Sequence, residues 1–518
     1  MKRLVLVFLA SVALLRADFR WAEKSVAELQ AEMAAGRVTS EQLTQDYLAR
    51  VAEIDRAGPK LNAVLELNPD ALAIARERDA ERRAGKVRGP LHGVPFLVKD
   101  NLDTADRMQT TAGSLALVGQ RVPRDAHVVA QLRAAGAVLL GKANMTEWAN
   151  FRGNNSSSGW SGRGGQTRNP YALDRNPSGS SSGSAAAVSA NLCAFAIGTE
   201  TNGSIVSPAS ACGVVGFKPT VGLVSRSGII PIAASQDTAG PIARSVADAA
   251  LVLAAIAGPD ERDDATREIP RATLAELTVP LPAHALRGAR IGVVRGPFGI
   301  PARLDGALDH LVAQLRAAGA EVTDDVKIAT LGKFGGATYD VLSYEFKDGL
   351  NRYLAEPGRV TPMKMLADVI AFNEAHAAEE MAFFGQQDLV AAEKRGPLTE
   401  RAYLDALATC RRLARGEGLD ATFAAGKFDA LVMLTRGPAA LTDHVLGESS
   451  AGGSSTMAAV AGYPSVTVPA AEMFGLPVGA SFVGRAWDDA KLLALAADFE
   501  TRTHARRAPE FLSAAKVP

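Results

Sequence analysis

The chain has 518 residues, of which 47% are hydrophobic and 22% are charged, so it can bury a large core and disorder is not expected. Lysine plus arginine and aspartate plus glutamate number 56 each, which leaves no net charge to attract nucleic acid. This balance argues against nucleic-acid-binding proteins and favours small or neutral partners.

The first residues have the pattern of an export signal. Two basic residues precede an apolar run from Leu4 to Leu15, and the small residue Ala17 follows. The run is about half of the roughly 20 residues that a membrane-spanning helix needs. We therefore expect a signal peptide over residues 1–17, export to the periplasm or the medium, and no stable membrane span. An uncleaved anchor and an ordinary buried first helix are the alternatives.

Residues 25–85 are predicted to be helical scaffold. Thr39 and Gln42 have the spacing of a capping box, which marks a helix start. A hydrophobic stripe at helical spacing follows, formed by Leu43, Tyr47, Val51 and Ile54.

After residue 92, short apolar runs that end in glycine, proline or polar turns alternate with helical stretches such as 125–135 and 184–192. The runs are GVPFLVKD, GAVLLGKANM, LCAFAIGTE and CGVVGFKP, and then ARIGVVRG, FDALVML, YPSVTVPA and LPVGASFVG toward the C-terminus. This alternation predicts an α/β fold with a large, mostly buried mixed sheet.

Two further stretches bear on domain organisation. The charged, proline-bearing stretch 258–288 can be a linker, but a strand and an amphipathic helix follow it at once, so we interpret it as a surface excursion within a single domain over residues 18–518. The helical stretch 340–424 can roof a pocket, although plain packing is the commoner role of such an insertion.

Cysteine and histidine give no sign of a metal or disulfide framework. Cys193, Cys212 and Cys410 are too few for such a framework, and we expect buried packing residues, with a pairing of the first two left open. The seven histidines lack the spacing of metal ligands, and no nucleotide-binding glycine motif occurs. We predict no metal and no cofactor.

The serine-rich stretch RNPSGSSSGSAAAVSANL, residues 175–192, raises three possibilities: a flexible linker, an esterase nucleophile elbow or part of another hydrolytic site. Gly179 to Gly183 satisfies the G-x-S-x-G elbow with Ser181 as nucleophile. An elbow also needs a later Asp and His, and His444 is the only later histidine in a plausible loop. In a tract this rich in Ser and Gly, the match carries little weight.

The geometry of the next segment brings a second serine close to this tract. A helix of about nine residues advances about 14 Å, and a strand of four or five residues returns by about 15 Å. Residues 199–204 are therefore expected beside the serine tract, with Gly203 permitting a tight turn. A linker does not fit this arrangement.

A serine nucleophile needs a base, and Lys99 is a candidate. It ends the apolar run GVPFLVKD, where partial burial disfavours the ammonium and leaves a neutral amine. From this segment alone, an ion pair with Asp100 or another carboxylate is the alternative.

Taken together, these segments resemble the amidase signature family of serine hydrolases. The resemblance rests on GVPFLVKDN, on SGSSSGSAAAVSANLCAFAIGTETNGSIVSPASACGVVGFKPTVGLVSRSGIIP, on QDTAGPIARSVADAA, and on AGYPSVTVPA with GLPVGASFVG. It implies the amidase signature fold, a large mixed sheet covered by helices on both faces. Within the family, EWANFRGNNSSSGWSGRGGQTRNPY and GTETNGSI look most like the bacterial peptide amidases, which release ammonia from C-terminally amidated peptides.

The resemblance also implies a Ser-Ser-Lys triad. Lys99 corresponds to the base, Ser180 to the bridging serine held by a cis Gly179-Ser180 peptide, and Ser204 to the nucleophile that forms an acyl-enzyme. The backbone N–H groups of residues 201–204 would stabilise the oxyanion.

Further residues are implied in supporting roles. Oxyanion or substrate contacts fall on Thr201, Asn202, Gly203, Ser204 and Asn154, and supporting positions fall on Gly179, Ser181, Thr199 and Asp237. The common Asp-Thr-Gly-Gly-Ser of the family is here Glu200-Thr201-Asn202-Gly203-Ser204. Because Asn tolerates positive φ better than most residues, we expect the turn to survive this change.

The expected partner is thus a peptide or small amide substrate, bound by a monomer or homodimer. A broad acylamidase acting on aryl or aliphatic amides is the first alternative. The others are a non-catalytic binding protein and an amidotransferase A-type subunit.

Overall fold

The computed structural model describes residues 19–296 and 298–517. The predicted signal peptide, residues 1–17, lies outside these residues, so export stays a prediction. Within the described part of the chain, no helix is both long and apolar enough to cross a bilayer.

Most of the strands belong to one large mixed sheet. Along the described chain, the strands are β1 Val64–Leu67, β2 Pro95–Lys99, β3 Val138–Ala143, β4 Trp160–Ser161, β5 Gly165–Gln166, β6 Phe195–Glu200, β7 Val215–Lys218, β8 Thr238–Ala243, β9 Arg290–Val293, β10 Glu321–Thr323, β11 Ala430–Leu434, β12 Ser465–Met473 and β13 Leu476–Val483. Eleven of them form a sheet in the order β1-β3-β2-β6-β8-β7-β12-β13-β11-β9-β10, and β4 pairs with β5. Parallel pairs such as β2-β6 and antiparallel pairs such as β6-β8 both occur. The predicted mixed sheet is confirmed.

Helices cover both faces of this sheet. They are α1 Val26–Ala34, α2 Ser40–Arg50, α3 Ala71–Arg83, α4 His127–Ala134, α5 Ser182–Ser189, α6 Val206–Ala211, α7 Val246–Ile256, α8 Arg271–Glu276, α9 Asp305–Ala317, α10 Gly335–Leu354, α11 Leu366–Ala375, α12 Ala377–Glu380, α13 Gln387–Glu393, α14 Arg401–Arg411, α15 Ala421–Gly426, α16 Thr456–Ala461 and α17 Asp489–Thr503, with π-helical turns at Val51–Arg56 and Arg412–Asp420.

Strand β11 shows that both faces are buried. Ala430, Val432 and Leu434 join an apolar cluster that includes residues of α7 and α17. Leu431 and Met433 join a second cluster with residues of α10 and α14. Because successive side chains of a strand point to opposite faces, each face of the sheet packs against helices.

The parallel pair β2-β6 determines where the serine segments meet. Phe96 lies opposite Phe195, so both strands end at the same edge of the sheet. Helix α5 runs away from this edge and β6 returns to it, as predicted, although the helix begins at Ser182 and ends at Ser189 instead of spanning 184–192. Lys99 and residues 199–204 therefore lie at one edge.

The N-terminal region is helical as predicted, with one exception. Thr39 and Gln42 form the capping box of α2, and the predicted stripe is buried. However, Val64–Leu67 is the edge strand β1, which pairs antiparallel with β3. A four-residue segment with three apolar residues, here VLEL, does not reveal from its own sequence whether it is strand or helix.

Strand β8 lies between β6 and β7, near the middle of the sheet, and the sequence did not predict it. Its sequence TAGPIA contains Gly240 and Pro241, which weaken the strand pattern. A Cβ on Gly240 would lie 2.1 Å from the Phe217 carbonyl oxygen, so the close approach of the two strands requires glycine.

Two unusual stretches bear on domain organisation. Strands before and after residues 258–288 belong to the same sheet, and the single domain over residues 18–518 stays a prediction. In the helical insertion, Phe346 is buried, and its ring centroid lies 4.9 Å from that of Phe151 and 6.5 Å from that of Trp148. The insertion thus covers the segment around residue 150.

Cys193, Cys212 and Cys410 are buried and unpaired. The pairing left open for Cys193 and Cys212 therefore does not occur. Burial raises the pKa of the Cys193 thiol to about 12, so it packs as a neutral group.

Gly183→Ala is expected to destabilise the fold. A Cβ at this position in the first turn of α5 would lie 2.2 Å from the Ala63 carbonyl oxygen and 2.5 Å from that of Asn144. Backbone atoms cannot move aside as a flexible side chain would, so we expect the free energy of unfolding to fall by about 3 kcal/mol. Denaturant unfolding measures the change.

Gly306→Ala is the matched control. Gly306 lies in α9, and a Cβ there meets open space, so helix propensity favours alanine by up to about 1 kcal/mol. Equal destabilisation of the two variants would contradict the packing argument.

Candidate active site

Lys99 ends β2 with its side chain fully buried. Its Nζ lies 2.7 Å from Ser180 Oγ, 2.8 Å from Thr199 Oγ1 and 3.2 Å from the Thr199 carbonyl oxygen. The carboxylate of Asp100 pairs with another residue, because it lies 3.4 Å from Arg163 Nη1. The alternative of a Lys99–Asp100 ion pair is therefore wrong.

The surroundings of Lys99 favour its neutral form. Burial lowers the pKa of Lys99 to about 7, because a desolvated ammonium is disfavoured. The negative charges of Asp237 and Glu200 oppose this shift and keep the pKa from falling further. Near neutral pH, a large fraction of Lys99 can thus accept a proton from an adjacent hydroxyl.

Ser180 is buried beside this amine, and the Gly179-Ser180 peptide bond is cis, as the resemblance implies. The Ser180 carbonyl oxygen accepts a hydrogen bond from the Thr146 N–H at 3.1 Å. A Cβ on Gly179 would lie 2.2 Å from Thr146 Oγ1, so the segment packs tightly against Thr146. These contacts hold the Ser180 hydroxyl toward Lys99.

Ser181 is not an exposed elbow nucleophile. It is fully buried, and its hydroxyl donates to the Thr199 carbonyl oxygen at 3.1 Å and accepts from the Thr199 N–H at 3.2 Å. Its own N–H donates to the Ser204 carbonyl oxygen at 3.1 Å. The other member of that alternative, His444, stacks on Phe383. Ser181 therefore joins the two serine segments, and its supporting role in the reaction stays a prediction.

Ser204 follows a tight turn in which Gly203 has a φ of +86°. Ser204 is 8% exposed, and its hydroxyl has no hydrogen-bond partner among the described residues. In particular, no Ser180–Ser204 hydrogen bond is formed. The positive φ falls on Gly203, so the expected tolerance of Asn202 for such a conformation is not what preserves the turn.

The Glu200 carboxylate holds this turn from inside. It accepts hydrogen bonds from the N–H groups of Gly203 at 2.8 Å, Ile205 at 2.8 Å and Val206 at 3.0 Å. Gly203 therefore has no free N–H, which corrects the expectation that all four N–H groups of residues 201–204 are available. The N–H groups of the other three residues, Thr201, Asn202 and Ser204, have no acceptor within the described ranges.

Asn202 is held by residues that the sequence did not point to. The Ser455 hydroxyl donates to Asn202 Oδ1 at 2.7 Å, and Asn202 Nδ2 donates to Thr456 Oγ1 at 3.3 Å. Both partners lie at the start of α16, more than 250 residues away in the chain. Their only local signal is a polar SST sequence before an apolar helix, which is also an ordinary helix start.

Asp237 supports the opposite side of the turn. Its carboxylate accepts the Thr201 hydroxyl and the N–H groups of Ile232 at 2.8 Å and Ala233 at 2.9 Å. Burial raises the pKa of Asp237 to about 6, although these hydrogen bonds act against the rise. Thr199 and Asp237 thus lie in the surroundings of Lys99, and their supporting roles in the reaction stay predictions.

Asn154 does not join this group. It is exposed, and its backbone N–H donates to the Gln387 side chain at 3.1 Å. The structure shows no contact between Asn154 and Lys99, Ser180 or Ser204, so a substrate contact by Asn154 stays a prediction.

A cavity of about 180 Å³ lies beside the site. Apolar residues such as Ile230 line it together with polar and charged residues, which are Asn101, Thr199, Thr201, Arg226, Ser227, Asp237, Thr238, Arg262 and Asp263. Asn101 Nδ2 donates to Thr199 Oγ1 at 3.0 Å, which connects the cavity to the hydrogen bonds of Lys99. Over residues 19–296 and 298–517, no group of three or more His, Cys, Asp and Glu side chains is arranged to hold a metal ion.

The arrangement suits nucleophilic attack on a carbonyl group. A neutral lysine next to a serine can withdraw a proton, and a second serine lies on a turn with unpaired N–H groups that can stabilise an oxyanion.

Comparison with known proteins gives consistent matches. The family model Amidase matches residues 42–493. The crystal structure of native peptide amidase from Stenotrophomonas maltophilia shares 53% sequence identity with a TM-score of 0.90, covering 95% of this chain and 100% of that chain. A protein of Arabidopsis thaliana named "Probable amidase" is 40% identical over 516 residues, covering 97% of this chain and 94% of the relative. The A-type subunit of glutamyl-tRNA(Gln) amidotransferase from Symbiobacterium thermophilum is 35% identical over 505 residues, covering 93% of this chain and 98% of the relative.

Glu200→Gln is expected to loosen the turn. A glutamine keeps one acceptor oxygen, but its NH2 group faces backbone N–H groups that then lose their partner. Leaving a buried donor unsatisfied costs about 1–3 kcal/mol, so denaturant unfolding should show a loss of that size. Glu261→Gln, at an exposed position, is the control and should change stability by less than about 0.5 kcal/mol. An unchanged midpoint in Glu200→Gln would contradict the role of the carboxylate.

Proposed function

The chain belongs to the amidase family and is a carbon–nitrogen hydrolase, and on that premise we propose that it releases ammonia from the C-terminal carboxamides of peptides. The similarity to the peptide amidase of Stenotrophomonas maltophilia supports this substrate class. The observation that carries the chemistry is the buried Lys99 amine 2.7 Å from the Ser180 hydroxyl, beside a turn with unpaired N–H groups.

In the first half of the reaction, Ser204 attacks the carboxamide carbon. Ser180 takes the proton of the Ser204 hydroxyl while its own proton passes to neutral Lys99. The Ser180–Ser204 contact that this relay needs would form when substrate binds, since catalytic hydrogen bonds commonly tighten in the substrate complex. The N–H groups of Thr201, Asn202 and Ser204 are the available donors for the oxyanion, and each such donor contributes about 3 kcal/mol.

Collapse of the tetrahedral intermediate requires a proton on the departing nitrogen, because an amide anion is too basic to leave. Ser180 delivers that proton and regains one from Lys99, so ammonia leaves and an acyl-Ser204 ester remains. Water then attacks the ester by the same relay in reverse. The protons balance over one turnover, and no cofactor is needed.

A second candidate function is the hydrolysis of free glutamine. The similarity to the A-type amidotransferase subunit over nearly the full length of both chains favours it, because a glutamine side chain is also a primary carboxamide. The two functions differ in what surrounds the carboxamide, which a substrate panel can resolve.

Ammonia release from a matched panel tests the proposal. We expect the purified protein to release ammonia from N-acetyl dipeptide amides and to act at least about tenfold more slowly, by kcat/KM, on free glutamine, on a fatty amide and on an anilide. Activity on glutamine alone would favour the second candidate. Activity confined to the anilide would instead favour a broad acylamidase.

Substitutions in the triad test the mechanism in the same assay. Lys99→Met should lower kcat by at least about 10²–10⁴-fold, the range for loss of a general base. Ser204→Ala removes the nucleophile and should lower kcat at least as much. Ser184→Ala is the matched control, since its buried hydroxyl donates to the Ile197 carbonyl oxygen instead of facing Lys99. Full activity of Lys99→Met would rule out the relay.

The pH dependence of kcat/KM tests Lys99 directly. Because only the neutral amine accepts a proton, kcat/KM should rise about tenfold per pH unit below pH 7 and level off above it. The Asp237 carboxylate raises the pKa of Lys99, so Asp237→Asn should move the rising limb to lower pH. A profile that is flat between pH 5.5 and 8.5 would contradict this assignment.

A further inference from the structure

A loop beside the candidate active site exposes large apolar side chains. Val445 is 91% exposed and Leu446 is 79% exposed, which exceeds the other large hydrophobic residues in the described part of the chain. Phe383 and Leu441 are also exposed. We name Phe383, Leu441, Val445 and Leu446 the apolar rim. Large apolar side chains exposed together on and beside one loop mark a binding site more often than singly scattered ones do.

The loop that carries most of the rim is closed at its base and runs beside the first serine segment. The Gly437 N–H donates to the Ala451 carbonyl oxygen at 2.9 Å, which closes the loop. The Asn176 N–H donates to the Ala440 carbonyl oxygen at 3.0 Å, and the Thr442 N–H donates to the Asp174 carbonyl oxygen at 3.0 Å. Residues 440–442 therefore lie alongside 174–176, just before the Gly179-Ser180 peptide.

The far half of the loop contacts both sides of the site. The Glu448 carboxylate accepts the Ser158 N–H at 3.0 Å, and a Cβ on Gly179 would lie 3.4 Å from Ser158 Oγ. Directly after the loop, at the start of α16, Ser455 donates to Asn202 in the oxyanion turn. The loop and the start of α16 thus form a wall of the site that reaches from the first serine segment to the second.

The tip of the loop is fixed with its apolar side chains outward. Asp443 Oδ1 accepts hydrogen bonds from the N–H groups of Val445 and Leu446, each at 2.9 Å. The ring of His444 stacks on Phe383 with centroids 4.0 Å apart and planes 16° apart. These contacts hold the rim in one arrangement before any ligand binds, which lowers the entropic cost of binding.

We propose that the apolar rim binds the apolar side chains of the residues that precede the amidated residue of a peptide substrate. This inference rests on the proposed function. The carboxamide must lie at Ser204, so the rest of the peptide leaves the site along one of its walls, and an extended chain advances about 3.3 Å per residue. The loop is hydrogen-bonded to the first serine segment, and the start of α16 that follows it is bonded to the second. Glu448 lies 3.8 Å from Arg436, which partly balances its charge, and the exposed side chains of Val445 and Leu446 offer apolar contacts to the peptide.

Two matched substrates test the inference, acetyl-leucyl-alaninamide and acetyl-seryl-alaninamide. In the unsubstituted protein, kcat/KM should be about tenfold higher for the leucyl substrate, which corresponds to partial burial of one leucine side chain. The double substitution Val445→Ser with Leu446→Ser should bring the ratio close to 1, because the gain from burying leucine is lost.

Control variants separate the rim from general effects. Val279→Ser changes another exposed valine, between α8 and β9, and should leave the ratio at about tenfold. Asp443→Ala keeps the apolar side chains but removes the acceptor that fixes the tip, so it should lower the ratio by less than the double substitution does. An unaltered ratio in the double variant, with ammonia still released from both substrates, overturns the inference and leaves the proposed function standing.

Two other outcomes would also overturn it. Release of ammonia from neither substrate removes the proposed function and this inference with it. If sedimentation shows that the double substitution dissociates an oligomer while the substrate ratio stays the same, the rim contacts a second copy of the chain instead of a peptide.

Discussion

The site depends on a lysine amine buried at the end of a central strand. Taking Lys99 out of water lowers its pKa to about 7, and three oxygen atoms of Ser180 and Thr199 lie close enough to satisfy it. This arrangement is possible because β2 and β6 run parallel and end at the same edge, with α5 leading from the first serine segment into β6. The apolar sheet thus provides both the desolvation and the position of the candidate base.

Successive side chains of β6 and of the residue after it point to opposite faces, so neighbouring residues make different contacts. Thr199 faces Lys99, Glu200 points the other way and holds the backbone of the turn, and Thr201 donates to Asp237. The carboxylates of Glu200 and Asp237 also limit how far the pKa of Lys99 falls. The same short segment therefore fixes the turn that carries Ser204 and influences the pKa of Lys99, the candidate base.

The C-terminal half of the chain completes the site from the opposite side. Ser455 and Thr456 hold Asn202, and the loop before them lies against the segments around Ser158 and Asn176. Because these contacts join residues more than 250 positions apart, the surroundings of the turn depend on the completed sheet. The loop gives the site a wall. The tip of this wall is exposed and apolar, whereas the centre of the site is buried and polar.

Local sequence patterns were enough to predict the sheet strands with clear apolar runs, the capped helix α2 and Lys99 as the candidate base. The meeting of the two serine segments followed from the lengths of the helix and the strand between them. Tertiary structure decided the rest. Strand β8 carries Gly240, which its close approach to Phe217 requires, and Pro241, and both residues hide its pattern. Three features of the site depend on which segments pack together, and such packing leaves no periodic signal along the chain. They are the hydrogen bond from the Gly203 N–H to Glu200, the contact of Asn202 with Ser455 and the exposure of Asn154.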